Sequence, residues 1–172
     1  MCTEKFLYIL IRVSLRPFFV FKIKTKEDFM FILKSEIGFD MSHYLSGYDG
    51  KCGNIHGHRY RLIVKVKGNE LKTTGSNRAM VEDFSFIKLI LKDIHDLFDH
   101  KLVIEDDEIG RDLIKRLEGT PQSFEYVLVS YRPTAEEMSR DIFNKIKAKK
   151  INIYEVELFE TPTNSCIYRE ED

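Results

Sequence analysis

The sequence predicts an α+β fold, an antiparallel sheet with helices packed on one face. Three observations lead there. Residues His56–Lys67 alternate at period 2, Phe84–Phe98 switches to helical spacing, and Thr134-x-x-Glu137 opens a second helix with a capping box. Strand, strand, helix, helix, strand, with polar turns between, is an α+β order rather than the regular alternation of a parallel sheet. The 172 residues, 43% hydrophobic and 32% charged, suit one globular domain with a sizeable core. With 27 Lys+Arg against 28 Asp+Glu, the net charge of −1 argues against a polybasic nucleic-acid binder and against an acidic tail. Three cysteines make no disulfide framework, so a reducing cytoplasm is the expected location. No run reaches the roughly 18 apolar residues of a membrane span.

Residues 1–29 read as an extension ahead of the domain, which takes 30–172. Residues 6–23 are apolar but broken by Arg12, Arg16 and Pro17, with no small-residue cleavage site after them. One reading is a targeting or membrane-surface segment; the preferred one is an extension from an upstream start, with Met30 as the true start. Met30–Leu45, rich in Phe, Ile and Leu, reads as a strand, and Ser46–Asn54, with three Gly, as a loop. In His56–Lys67 one parity holds His56, His58, Tyr60, Leu62, Val64 and Val66; the other holds Arg59, Arg61, Lys65 and Lys67. That is a half-buried strand. Gly68–Arg78 is a polar turn and Ala79–Asp83 a short strand.

Phe84–Phe98 places Ile87, Ile90, Leu91, Ile94, Leu97 and Phe98 on one helical face, capped by Asp83 or Ser85. Asp106–Glu118 reads as a shorter, charged helix and Tyr126–Ser130 as a strand. The helix from Thr134 carries the stripe Ala135, Met138, Ile142, Ile146. Ile151–Phe159 and Cys166–Arg169 are the last strands.

The chemistry concentrates in short pieces. His56-Gly57-His58 puts two imidazoles on one face of a strand, where they can grip one metal ion, and His43 near the end of the preceding strand can lie opposite them. Three neutral imidazoles with an open fourth position is the pattern of a catalytic zinc site. Cys52, four residues ahead of His56, would be a thiolate beside a cation, acting as ligand or base; otherwise it is a small buried hydrophobe. Asp99-His100 is either a carboxylate orienting an imidazole for proton transfer or a plain helix end favouring a cationic His. Glu160 is either a solvated strand end or a carboxylate for a ligand's paired N–H donors. Cys166 reads as strand core and His95 as structural.

In this order the pieces resemble the 6-pyruvoyl-tetrahydropterin synthase / 6-carboxy-tetrahydropterin synthase family. The likeness runs through Phe39-Asp40-Met41-Ser42-His43, Lys51-Cys52-Gly53-Asn54-Ile55-His56-Gly57-His58, Val81-Glu82-Asp83-Phe84, Leu97-Phe98-Asp99-His100, Pro133-Thr134-Ala135-Glu136, Glu160-Thr161 and Cys166-Ile167-Tyr168-Arg169. It covers about 31–103 and 131–170, leaving 104–130 as a variable insertion. The resemblance implies the tunnelling fold, a four-stranded antiparallel sheet with two helices on one face, assembled as a homohexamer of two stacked trimers with sites at subunit interfaces. It implies Zn2+ on His43, His56 and His58, Cys52 as catalytic base assisted by Asp99 and His100, and Glu160 anchoring a pterin ring, with Thr134 nearby. The implied substrate is 7,8-dihydroneopterin triphosphate.

The spacing Cys52-x-x-x-His56 and the ending Glu160-Thr161 to Arg169 look like the bacterial branch, which makes 6-carboxy-5,6,7,8-tetrahydropterin for 7-deazaguanine (queuosine) synthesis and releases acetaldehyde and triphosphate. The alternatives are a 6-pyruvoyl synthase, which eliminates triphosphate without cleaving the side chain, and a non-catalytic pterin- or zinc-binding member. A nucleic-acid or membrane partner is not expected.

Overall fold

A computed structural model of the chain describes residues 8–9, 21–22 and 30–171. Strand β1 (Tyr8–Ile9) pairs antiparallel with β2 (Phe21–Lys22). The remainder of the expected extension lies outside the described residues. The chain continues with β3 (Phe31–His43), β4 (His56–Gly68), α1 (Phe84–Phe98), β5 (Leu102–Glu105), α2 (Glu108–Glu118), β6 (Tyr126–Val129), α3 (Ala135–Lys147), β7 (Ile153–Thr161) and β8 (Asn164–Tyr168).

The sheet has six strands in the order β6-β5-β3-β4-β7-β8, which corrects the expected four. The expected part is there: β3–β4, β4–β7 and β7–β8 are antiparallel. What the sequence reading lacked is β5, which joins β3 in parallel through only Ser42↔Leu102 and His43↔Val103, with β6 parallel beyond it. A four-residue strand carries too few alternations to register as period 2. The strand expected at Ala79–Asp83 is absent. Lys72 and Ala79 exchange backbone bonds with Met80 and Lys72 in turn, and Ala79 is left-handed at φ 66°, so the segment closes into a turn.

One face of the sheet shares the core with α1 and α3. Phe39, Tyr60, Leu62, Val64, Val66, Val156 and Leu158 pack with Ile87, Ile90, Leu91, Ile94 and Phe98 of α1 and Met138, Ile142, Phe143 and Ile146 of α3. The strand members keep one parity, so period 2 on the sheet meets period 3.6 on the helices. The charged helix α2 buries only Gly110. The other face of β4 carries Arg59, Arg61, Lys65 and Lys67, with Lys65 paired to the buried Glu155 at 2.6 Å.

Candidate active site

The core-facing parity of β3 and β4 runs on past the core and ends in histidines. His43 lies directly across from His56, and Met41 across from His58. The ring centroids of His43 and His56 are 4.6 Å apart, those of His56 and His58 4.9 Å, those of His43 and His58 5.5 Å. One potential ligand atom from each lies within 4.8 Å of the others.

The outer contacts of the rings suit metal binding. His43 Nδ1 is 2.8 Å from the Pro133 carbonyl and His56 Nδ1 is 2.8 Å from the Asn54 carbonyl. A carbonyl only accepts, so each Nδ1 carries the hydrogen and each Nε2 keeps its lone pair. Burial, more than any neighbour, pushes the His43 pKa down, which keeps the ring neutral near pH 7. The Nε2 of His56 is buried and, among the described residues, has no hydrogen-bond partner. A buried unpaired acceptor is costly, and a cation at the shared point would satisfy it.

Cys52 arrives on the loop between β3 and β4. Lys51–Gly53 is a single 3₁₀ turn, closed by Leu45 N–H donating to the Cys52 carbonyl at 2.8 Å. Gly53 passes so near the Tyr48 carbonyl that a Cβ there would sit 2.6 Å from it. Gly47 turns the same loop at φ 66°. Cys52 lines a cavity of about 270 Å³ with His43, Leu45, Thr134, Ala135, Glu136, Glu160, Asn164, Ser165 and Cys166. Glu160, at the end of β7, brings Oε1 to 3.5 Å from His43 Nε2 and 3.3 Å from the Tyr60 hydroxyl. Thr134 is the N-cap of α3, its hydroxyl accepting from Glu137 N–H at 3.4 Å.

Asp99 and His100 form a dyad elsewhere. His100 Nδ1 is 2.7 Å from Asp99 Oδ2, and Asp99 Oδ1 accepts from Asp40 N–H at 3.0 Å. The Asp40 amide first, then His100, hold the Asp99 carboxyl below its usual range; the Asp99 hydrogen bond raises the pKa of His100. His100 is left-handed at φ 57°, an uncommon backbone for a non-glycine residue, held by its N–H bond to the Asp40 carbonyl at 2.7 Å. It lines a different cavity, of about 470 Å³, with Asp40, Ser42, Gly57, His58 and Arg59. Asp40, Ser42, Gly57 and Arg59 alternate with the histidines along β3 and β4 and so belong to the opposite face of the sheet. Within one chain, then, the dyad and Cys52 open to separate cavities.

Two residues gain importance over the sequence reading. Tyr60, fully buried, stands between His43 and Glu160; its parity with His56 and His58 was the available signal. Cys166 lines the Cys52 cavity rather than sitting in strand core. His95 stays peripheral, 3.6 Å from Asp99.

Residues 32–171 match the family model described as 6-pyruvoyl tetrahydropterin synthase. A 6-carboxy-5,6,7,8-tetrahydropterin synthase from Haemophilus influenzae is 41% identical over 82% of this chain and 100% of its own length. One of the same name from Synechocystis is 31% identical over 81% of this chain and 93% of its own. Among solved structures, a 6-pyruvoyl tetrahydropterin synthase of Caenorhabditis elegans superposes with a TM-score of 0.61 at 24% identity, covering 83% of this chain and 96% of that one.

Proposed function

This chain belongs to the 6-pyruvoyl tetrahydropterin synthase family, and from that premise we propose that it is a 6-carboxy-5,6,7,8-tetrahydropterin synthase. It converts 7,8-dihydroneopterin triphosphate and water to 6-carboxy-5,6,7,8-tetrahydropterin, acetaldehyde and triphosphate, a step toward 7-deazaguanines. The observation that carries the reading is the convergence of His43, His56 and His58 beside a cavity holding Cys52 and Glu160. The branch is favoured by the full-length relatives, which are named for the carboxy product.

Each residue then has a task. His43, His56 and His58 hold zinc, which when bound supplies Lewis acidity toward the substrate's side-chain oxygens. Glu160 accepts from the amino and ring N–H groups of the pterin and fixes its angle. At about 270 Å³ the cavity is near the lower end of small-molecule pockets, roughly 300 Å³, which suits a bicyclic ring. Cys52, as thiolate, takes the proton from the side-chain carbon next to the ring, and His100, oriented by Asp99, moves protons to and from the reacting oxygens. Thr134 borders the ring and caps α3. Because Cys52 and His100 open to different cavities, the dyad serving one Cys52 comes from a neighbouring subunit, in a homohexamer of two stacked trimers. The sheet supports this: among the described residues its outermost strands, β6 and β8, have no further strand beside them, and association would cover those edges.

The test incubates zinc-loaded protein with 7,8-dihydroneopterin triphosphate and identifies the products by mass spectrometry. The reading expects 6-carboxytetrahydropterin. A pyruvoyl product moves the chain to the other branch, and unchanged substrate with zinc bound moves it to a binding protein.

A further inference from the structure

We propose that the Tyr60 hydroxyl couples occupancy of the three-histidine centre to the orientation of Glu160, so that metal and ring ligand tighten each other's binding. The inference rests on the reading of Glu160 as ring anchor and adds a positioning residue to it.

Tyr60 is on β4, two residues past His58 and on the same face, with no exposed surface. Its ring is stacked on Phe39 at 5.5 Å and met edge-on by His43 at 6.0 Å and His58 at 5.8 Å. Those contacts fix where the hydroxyl sits. It is 3.3 Å from His43 Nε2 and 3.3 Å from Glu160 Oε1, and these two atoms are 3.5 Å from each other. The three make a small triangle holding one hydrogen. A phenol has a single O–H to give, and a carboxylate only accepts. His43 Nε2 only accepts as well, since Nδ1 is committed to the Pro133 carbonyl. Two acceptors therefore compete for one donor, and both separations lie at the long end of hydrogen bonding.

A cation on His43 Nε2 removes one competitor. The lone pair is taken, and the Tyr60 hydrogen has only Glu160 Oε1 to go to. Oε1 is then pinned from the protein side, and the carboxylate presents Oε2 to a ligand's N–H donors in one orientation. Linkage makes the effect reciprocal: a ligand that needs Glu160 in this orientation strengthens cation binding by the same factor. A hydrogen bond to a charged group, at the lower end of its usual net strength because both separations are long, makes that factor about tenfold.

The experiment uses the full chain and pterin itself, which lacks the side chain, as probe. Pterin affinity is measured by fluorescence with and without saturating Zn2+ in wild type and in Tyr60→Phe, which keeps the ring packing and removes only the hydroxyl. Zinc affinity with and without pterin, read by competition with a chromophoric chelator, gives the reciprocal arm, and thermal unfolding of both metal-free proteins checks that the variant is folded. The expected result is an effect of zinc on pterin affinity about tenfold larger in wild type than in Tyr60→Phe, with the same ratio on the zinc side. Equal effects in both proteins overturn the role of Tyr60 and leave the anchor reading standing. Wild type that binds zinc but no pterin overturns the anchor reading and this proposal with it.

Discussion

Replacing Glu160 by Gln tests the anchor at the level of single atoms. Oε1 is the oxygen that accepts from the Tyr60 hydroxyl and lies 3.5 Å from His43 Nε2, and among the described residues no donor reaches Oε2. In Glu160→Gln the amide oxygen takes the place of Oε1, since Tyr60 must donate, and the NH2 group then points where Oε2 was. A pterin edge offering two N–H donors meets a donor instead of an acceptor. The loss is one charge-assisted hydrogen bond, about 1.5–3 kcal/mol, plus the mismatch. The Glu160 side chain is 30% exposed, so the lower part of that range applies, or about 10- to 50-fold in affinity. Glu160→Ala loses the bond without adding the mismatched donor, so Gln should bind no better than Ala. The assay is a pterin fluorescence titration on the zinc-loaded proteins. Less than a threefold loss in Gln, or Gln binding well while Ala does not, would refute the reasoning, because shape rather than charge would then hold the ring.

Asp99→Asn should lower the pKa of His100, which the carboxylate raises above 6.5, and should cut kcat by about 10²- to 10⁴-fold; NMR of the imidazole C–H resonances follows the first and steady-state kinetics the second. In wild type the raised His100 pKa contributes stability fully present below 6.5 and lost as pH rises through the raised value, whereas the lowered Asp99 pKa contributes stability present above 3.8 and lost as pH falls through the lowered value; melting curves of the variant should flatten in both windows. Thr134→Ala removes the cap of α3 and should cost about 1 kcal/mol, a fall of about 2–4 °C in Tm, with Thr134→Ser restoring it. An unchanged melting temperature in the Ala protein would mean that the long 3.4 Å bond to Glu137 is not holding the helix end.

The parts of this molecule that repeat were legible in its sequence. The alternation along β4 puts His56, His58 and Tyr60 on the same face as the apolar Leu62, Val64 and Val66, and the stripe Ile87, Ile90, Leu91, Ile94 marks α1 and its buried face. The three-histidine cluster follows from the same alternation, because directly opposed residues of two antiparallel strands share one face, and His43 pairs with His56 at the end of the ladder. What stayed hidden depends on contacts distant in sequence or on very short elements. The Pro133 carbonyl that fixes the His43 tautomer is 90 residues away from it. Strand β5 is four residues long and meets β3 through two pairs. Nor does the order of the motifs along the chain reveal that His100 and Cys52 face different cavities, since spacing along a chain carries no information about which side of a sheet a loop comes to rest on. Tyr60 was visible in the alternation, but its position between two acceptors emerges only once β7 is seen to lie beside β4.

The most direct test of the central claim is the ratio of acetaldehyde to triphosphate released from 7,8-dihydroneopterin triphosphate by the zinc-loaded protein, with Cys52→Ala measured alongside. A carboxy synthase predicts one acetaldehyde for each triphosphate, and loss of both in the Cys52 variant. Triphosphate without acetaldehyde, or a Cys52→Ala protein that turns over like wild type, would contradict it.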